Sequence, residues 1–122
     1  MEFEKDYVLR MAKELGDAIA RLVFGRSLES AQEQEPGGAE VSLSRLLERA
    51  AGGDVGGAED ELFGQLRPGD SAGLQMALRF YLHLNEYPDS FLEAHDFARE
   101  EIWQGMRDAA RRYGLTGLEE VL

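Results

Sequence analysis

Apolar residues along the chain recur at intervals of three and four rather than two, so the pattern predicts helices and no strand. Tyr7, Met11, Leu15, Ile19, Leu22 and Val23 form the first stripe, widened by Val8, Ala12 and Ala18, and predict an amphipathic helix over about residues 4–24. Gly25 is its natural stop. From Val41 the period returns: Leu43, Leu46, Leu47 and Ala50 predict a short helix ended by Gly52 and Gly53, and Ala58, Leu62, Phe63 and Leu66 predict a second. Two short helices joined by a glycine turn make a hairpin. The stretch RPGD at 67–70 breaks the second helix, with Asp70 or Ser71 able to cap the next.

The helix after RPGD carries two stripes, Leu74, Ala77, Leu78, Tyr81 and Leu82 on one side and Met76, Phe80, Leu84 and Tyr87 on another. A helix apolar on two sides must be covered on two sides, which makes this one the expected centre of the fold. Pro88 restarts a short turn at DSFLEAH, and FAREEIWQGMRDAARRYG predicts the last long helix. Phe97 and Ile102 have the spacing of a hydrophobic staple, and Glu101 lies three residues after the cap position Ala98, as the reaching-back partner of a capping box does. Ala98 lacks a side-chain oxygen, so Ala98→Ser is expected to add about 0.5–2 kcal/mol. Gly114 ends the helix, after Arg111 and Arg112 in the last turn where the helix dipole favours cations.

These elements predict an all-α fold in one domain, an antiparallel helix-hairpin array of about five to six helices. Residues 1–26 are the N-terminal amphipathic helix, 27–40 a flexible acidic linker, 41–114 the helical-hairpin core and 115–122 a tail. The linker rests on composition: SLESAQEQEPGGAE has no large apolar residue after Leu28. The first helix is thereby expected to pack on its own body or, across the linker, on a second copy.

With 43% hydrophobic residues in 122, the chain can bury one core. Its 24 acidic and 13 basic residues give a net charge of −11, which repels phosphate backbones and disfavours direct binding to nucleic acid or anionic lipid. The absence of cysteine removes disulfides, thiolate nucleophiles and thiolate metal sites. The opening MEFEKDYVLRMAKEL lacks the basic start and apolar run of a signal peptide, and no stretch approaches the roughly 20 apolar residues of a membrane span. A cytoplasmic protein with no membrane segment is expected.

Several short patterns bear on chemistry. Gly53, Asp54, Ala58 and Leu62, with Pro68 beyond, have the spacing of a tetratricopeptide half-repeat: a turn, a small residue at the helix crossing and a large apolar residue one turn on. The first helix of the pair lacks the expected glycine and aromatics. A phosphate loop would need a lysine and a hydroxyl after the glycines, where Ala58 and Glu59 stand instead. Gly69, Ser71 and Gly73 match the G-x-S-x-G of a hydrolase elbow, but a helix and a proline precede them rather than a strand, and capping explains Asp70 and Ser71 better. His83, Glu86, His95 and Asp96, with Glu93, are the conceivable metal or acid–base groups. Only His83 and Glu86 have the spacing of paired ligands on one helix face, and a packed or edge histidine is the commoner outcome.

Trp103 and Arg107, one turn apart at the edge of the last helix, are candidate partner contacts, since tryptophan and arginine dominate interface hot spots. A tryptophan that covers the edge of the core is the plainer reading. Tyr87, and Tyr7 and Met11 on the first helix, are further candidates; Phe91 and Phe97 are most simply core. The segments DYVLRMAKELGDAIARLVFG, AEDELF, ALRFYLHLNEYPDSFL and FAREEIWQGMRDAARRYG resemble a family of small, uncharacterised, all-helical bacterial proteins, a domain of unknown function. The resemblance spans nearly the whole chain outside 27–40. It implies a tetratricopeptide-like fold and no activity, substrate or cofactor. The departures are Ala98, where such proteins often have serine, and the glycine-rich turn at 52–57. The expectation is a non-enzymatic protein–protein interaction or adaptor module without cofactor or metal, binding a protein partner or self-associating as a homodimer through its N-terminal helix. The alternative is a small metal-binding protein or enzyme using His83, Glu86, His95 and Asp96.

Overall fold

A computed structural model of the chain describes residues 2–24, 38–67 and 69–115. The three- and four-residue spacing becomes helix throughout these residues, six helices in all and no strand: α1 Glu2–Phe24, α2 Gly38–Ala51, α3 Val55–Gln65, α4 Ser71–Leu84, α5 Asp89–Ala94 and α6 Glu100–Arg112. Helix α2 begins at Gly38 rather than Val41, taking in the last three residues of the stretch read as linker, where Ala39 and Glu40 are good helix formers. Residues 27–37 of that stretch, Gly25 and Arg26 before it, and 116–122 of the tail lie outside the described residues. No helix among the described residues is long and apolar enough to cross a membrane.

The glycine turn between α2 and α3 is a Schellman stop followed at once by a cap. The Asp54 N–H donates to the Arg49 carbonyl at 3.1 Å and the Gly53 N–H to the Ala50 carbonyl at 2.9 Å, the two bonds of that motif. They require a left-handed residue, and Gly53 supplies it with φ 109° at no steric cost. Asp54 then caps α3, its Oδ1 accepting from the Gly57 N–H at 3.0 Å. This cap draws Val55, Gly56 and Gly57 into the helix despite poor glycine propensity, so α3 starts three residues before Ala58. Arg49 braces the turn by donating to Asp54 and to Glu61, each at 2.7 Å. The last helix stops in the same way: the Leu115 N–H donates to Ala110 and the Gly114 N–H to Arg111, both at 3.0 Å.

Helix α4 is the centre. Gly73 to Leu78, Phe80, Tyr81 and Leu84 are all buried, and α4 packs against α1, α2 and α6. Both of its predicted stripes are covered apart from Leu82 and Tyr87, which are half-buried against the core. Helix α1 lies across α4 and α6, burying Ala12, Leu15, Ile19 and Ala20. Each buried leucine or isoleucine contributes about 1.5–3 kcal/mol. The α2–α3 hairpin closes the other side through Leu43, Leu46, Ala58 and Leu62.

Candidate functional site

From the last turn of α4 to the reversal before α6 the chain carries rings at every fourth position: His83, Tyr87, Phe91 and His95. Leu84 ends α4, and Pro88 restarts a helix at once, with the Phe91 and Leu92 N–H groups both donating to its carbonyl. The four-residue period therefore survives the break and stacks the rings. His83 meets Tyr87 edge-on at 5.4 Å between centroids, Tyr87 stacks on Phe91 at 4.4 Å, and Phe91 meets His95 at 4.7 Å. His83 is exposed; the other three are half-buried, with Tyr87 and Phe91 resting on the core. The far end of the ladder reaches the hairpin turn. A Cβ at Gly53 would lie 2.8 Å from His95 Cε1, so the imidazole sits on bare backbone there.

The ladder is held from beneath by Arg99, which is only 8% exposed. Its Nε donates to Asp89 Oδ1 at 2.7 Å, and its two Nη atoms donate to the carbonyls of Asn85 at 3.0 Å and Tyr87 at 2.6 Å. A buried guanidinium is tolerated when its donors are satisfied, and these partners satisfy it while pairing carbonyls freed where α4 ends. The residue at the cap position of α6 is thereby tied to the backbone that carries Tyr87. Between α5 and α6 the chain reverses through Asp96, whose left-handed φ of 58° is one that aspartate visits more readily than most residues.

A second polar group lies where α3, α4 and α6 meet. Tyr81 donates to Glu59 Oε2 at 2.5 Å. Its ring covers Gly105 so closely that a Cβ there would overlap it, which explains a glycine inside α6. Burial pushes the Glu59 carboxyl above the usual glutamate range; the Tyr81 hydrogen bond opposes this, and the charges of Glu101, Asp60 and Asp108 add to it. Burial likewise pushes the Tyr81 hydroxyl upward, with the Glu59 charge next in effect. Near the start of α4 the Tyr113 hydroxyl is raised by burial and then by Asp70. The Asp54 carboxyl is held below its usual range by the hydrogen bond from Arg49 and then by the Gly57 N–H.

Residues 2–114 match the model of the Family of unknown function (DUF6483). The chain belongs to this family. No curated protein and no solved structure matches it.

In this DUF6483 chain the residues expected to touch a partner fall in separate places. Tyr87 is in the ladder. Trp103 is half-buried against the core on α6, the edge-covering arrangement, with Arg107 also half-buried one turn on. Met11 is half-buried on α1, and Tyr7 is in the first turns of the same helix with its side chain outside the described ones. The conceivable metal ligands do not converge. Tyr87 and Phe91 stand between His83 and His95, and no three histidine, aspartate or glutamate residues among those described are grouped to hold a metal ion. Ser71 opens α4 with Asp70 at its cap position, although the Asp70 side chain makes no capping hydrogen bond. Phe91, read as core, is half-buried against the core and is also a member of the ladder; its spacing from His83, Tyr87 and His95 was the available signal for the second role. Arg99 and Glu59 carried none, because the partners of Arg99 are Asp89, ten residues away, and two backbone carbonyls, and that of Glu59 is a tyrosine distant in sequence.

Proposed function

We propose that this DUF6483 chain is a non-enzymatic protein–protein interaction module, a tetratricopeptide-like helical adaptor of the bacterial cytoplasm, and that its contact surface is the ladder His83, Tyr87, Phe91 and His95. The observation that carries the reading is the ladder itself: adjoining aromatic rings with exposed surface, fixed by a buried arginine rather than left free to rearrange. Such a surface loses little side-chain freedom when a partner covers it, and rigid aromatic anchors dominate interface energies. The hairpin supports the tetratricopeptide comparison, since Ala58 and Leu62 are both buried beyond the Gly53–Asp54 turn. A partner helix in the place of α1 is less favoured, because α1 already buries its own Ala12, Leu15, Ile19 and Ala20 there.

The test is capture from native lysate on two immobilised proteins, the full chain and a Tyr87→Ser/Phe91→Ser variant whose helix content matches it. A specific protein retained by the first and lost from the second is expected. Equal retention on both, or none on either, overturns the assignment of the ladder.

A further inference from the structure

Helix α3 is poorly suited to stand by itself. Its sequence, VGGAEDELFGQ, includes Gly56, Gly57 and Gly64, each of which disfavours a helix relative to alanine. Residues in the left-handed region flank it on both sides, Gly53 with φ 109° before and Gly69 with φ 88° after. Its close backbone approach is to α2. Towards α4 and α6 it reaches through side chains. Tyr81 donates to Glu59 Oε2 at 2.5 Å, and Arg112 stands over the Phe63 ring at 5.0 Å while donating to the Phe63 carbonyl at 3.4 Å. Tyr81 is wholly buried, whereas Phe63 is half-buried and Arg112 exposed. An element joined to the rest in this way is the kind that opens locally before the whole molecule unfolds.

The charges at this seam set when it holds. Glu59 is faced by the Tyr81 hydroxyl from α4, by Glu101 and Asp108 from α6 and by Asp60 from its own helix. Arg111 is paired with Asp108, and Arg49 of α2 with Asp54 and Glu61. Opening α3 returns the Glu59 carboxylate to water and takes it away from the α6 acids, which favours the ionised form; closing favours the neutral one. We propose that α3 is a lid that unfolds locally between Gly53 and Gly69, latched by Tyr81 on Glu59, and that the latch holds when Glu59 is protonated and slackens when it ionises. The proton is bound more tightly in the closed state, chiefly because Glu59 is buried there. Closure is therefore strongest below the ordinary glutamate value and weakens as pH rises through the raised one. When α3 opens, the Tyr81 hydroxyl loses Glu59 and meets water. The lid stands apart from the reading of the ladder.

Native-state hydrogen exchange on the full chain, in low urea, reads the opening of each helix. At neutral pH the amides of residues 59–65 should exchange through an opening with little urea dependence, and those of α4 and α6 through one with the full dependence of global unfolding. The α3 opening should become rarer as pH falls towards 4.5, the ordinary glutamate value. Glu59→Gln keeps an acceptor for Tyr81 and cannot ionise, so its α3 opening should be rarer at neutral pH and independent of pH. Tyr81→Phe keeps the ring and removes the latch, and should raise the opening roughly two- to tenfold, the range of one hydrogen bond. Gly56→Ala/Gly64→Ala adds methyl groups that meet nothing within 4 Å and should lower it about fivefold through helix propensity alone. Amides of α3 that share the urea dependence of α4 and α6 at every pH overturn the lid. An α3 opening that ignores pH, or that keeps its pH dependence in Glu59→Gln, overturns the latch.

Discussion

At the scale of single residues, Glu59 is the side chain whose environment most opposes its chemistry. Its carboxylate is partly buried, accepts from Tyr81 at 2.5 Å and faces three other acids. Its carboxyl is raised in the folded protein, so its contribution to stability is fully present below the unfolded value and is lost as pH rises through the raised one. Glu59→Gln keeps an acceptor for Tyr81 and cannot ionise. The variant's urea midpoint should therefore gain on the parent as pH increases from 4.5, the ordinary glutamate value, to neutrality. Midpoints that track each other at every pH would show that Glu59 titrates as it does unfolded. Asp54 works in the opposite direction, its lowered carboxyl stabilising the fold above the unfolded value and ceasing to do so in acid, but parent and variant share it. Neither Glu59 nor its tyrosine was readable as a pair, because the contact spans α3 to α4 and sequence spacing encodes only neighbours within one helix.

At the scale of elements, the starts and stops follow local chemistry closely. Glu101 reaches back so that its Oε2 accepts from the Ala98 N–H at 2.7 Å, one half of a capping box. The other half needs an oxygen at 98. The Glu101 N–H meanwhile donates to the Ala98 carbonyl at 2.9 Å, so it is not left unpaired. Ala98→Ser should therefore stabilise at the low end of the capping range, about 0.5–1 kcal/mol, read as a higher urea midpoint. An unchanged midpoint would place the working cap elsewhere. The same local rules made the Gly53 turn, the Gly114 stop and the restart at Pro88 legible, since each depends on one residue's backbone freedom or missing donor. Helix α3 began earlier than its apolar stripe because the Asp54 cap outweighs that stripe's late start.

At the scale of the molecule, α1 is the element whose place follows from packing. Met106 Cε would lie 3.0 Å, and Leu82 Cδ1 3.3 Å, from a Cβ at Gly16, so α1 lies directly on α4 and α6. Deleting residues 1–26 should uncover those two helices and raise the fluorescence of a dye that binds apolar surface; an unchanged signal would mean that α1 shields nothing. By itself the sequence determined helix type, most boundaries, the hairpin and the central position of α4, because apolar period, glycine, proline and capping residues act within a few residues of where they stand. Tertiary structure alone decided that Tyr87 and Phe91 of the ladder rest half-buried on the edge of the core, that Arg99 takes hold of the Asn85 and Tyr87 carbonyls, and that Tyr81 lies on Gly105 against Glu59. Those outcomes depend on which helix faces meet, and backbone carbonyls, which every residue has, leave no trace of their partners in a sequence.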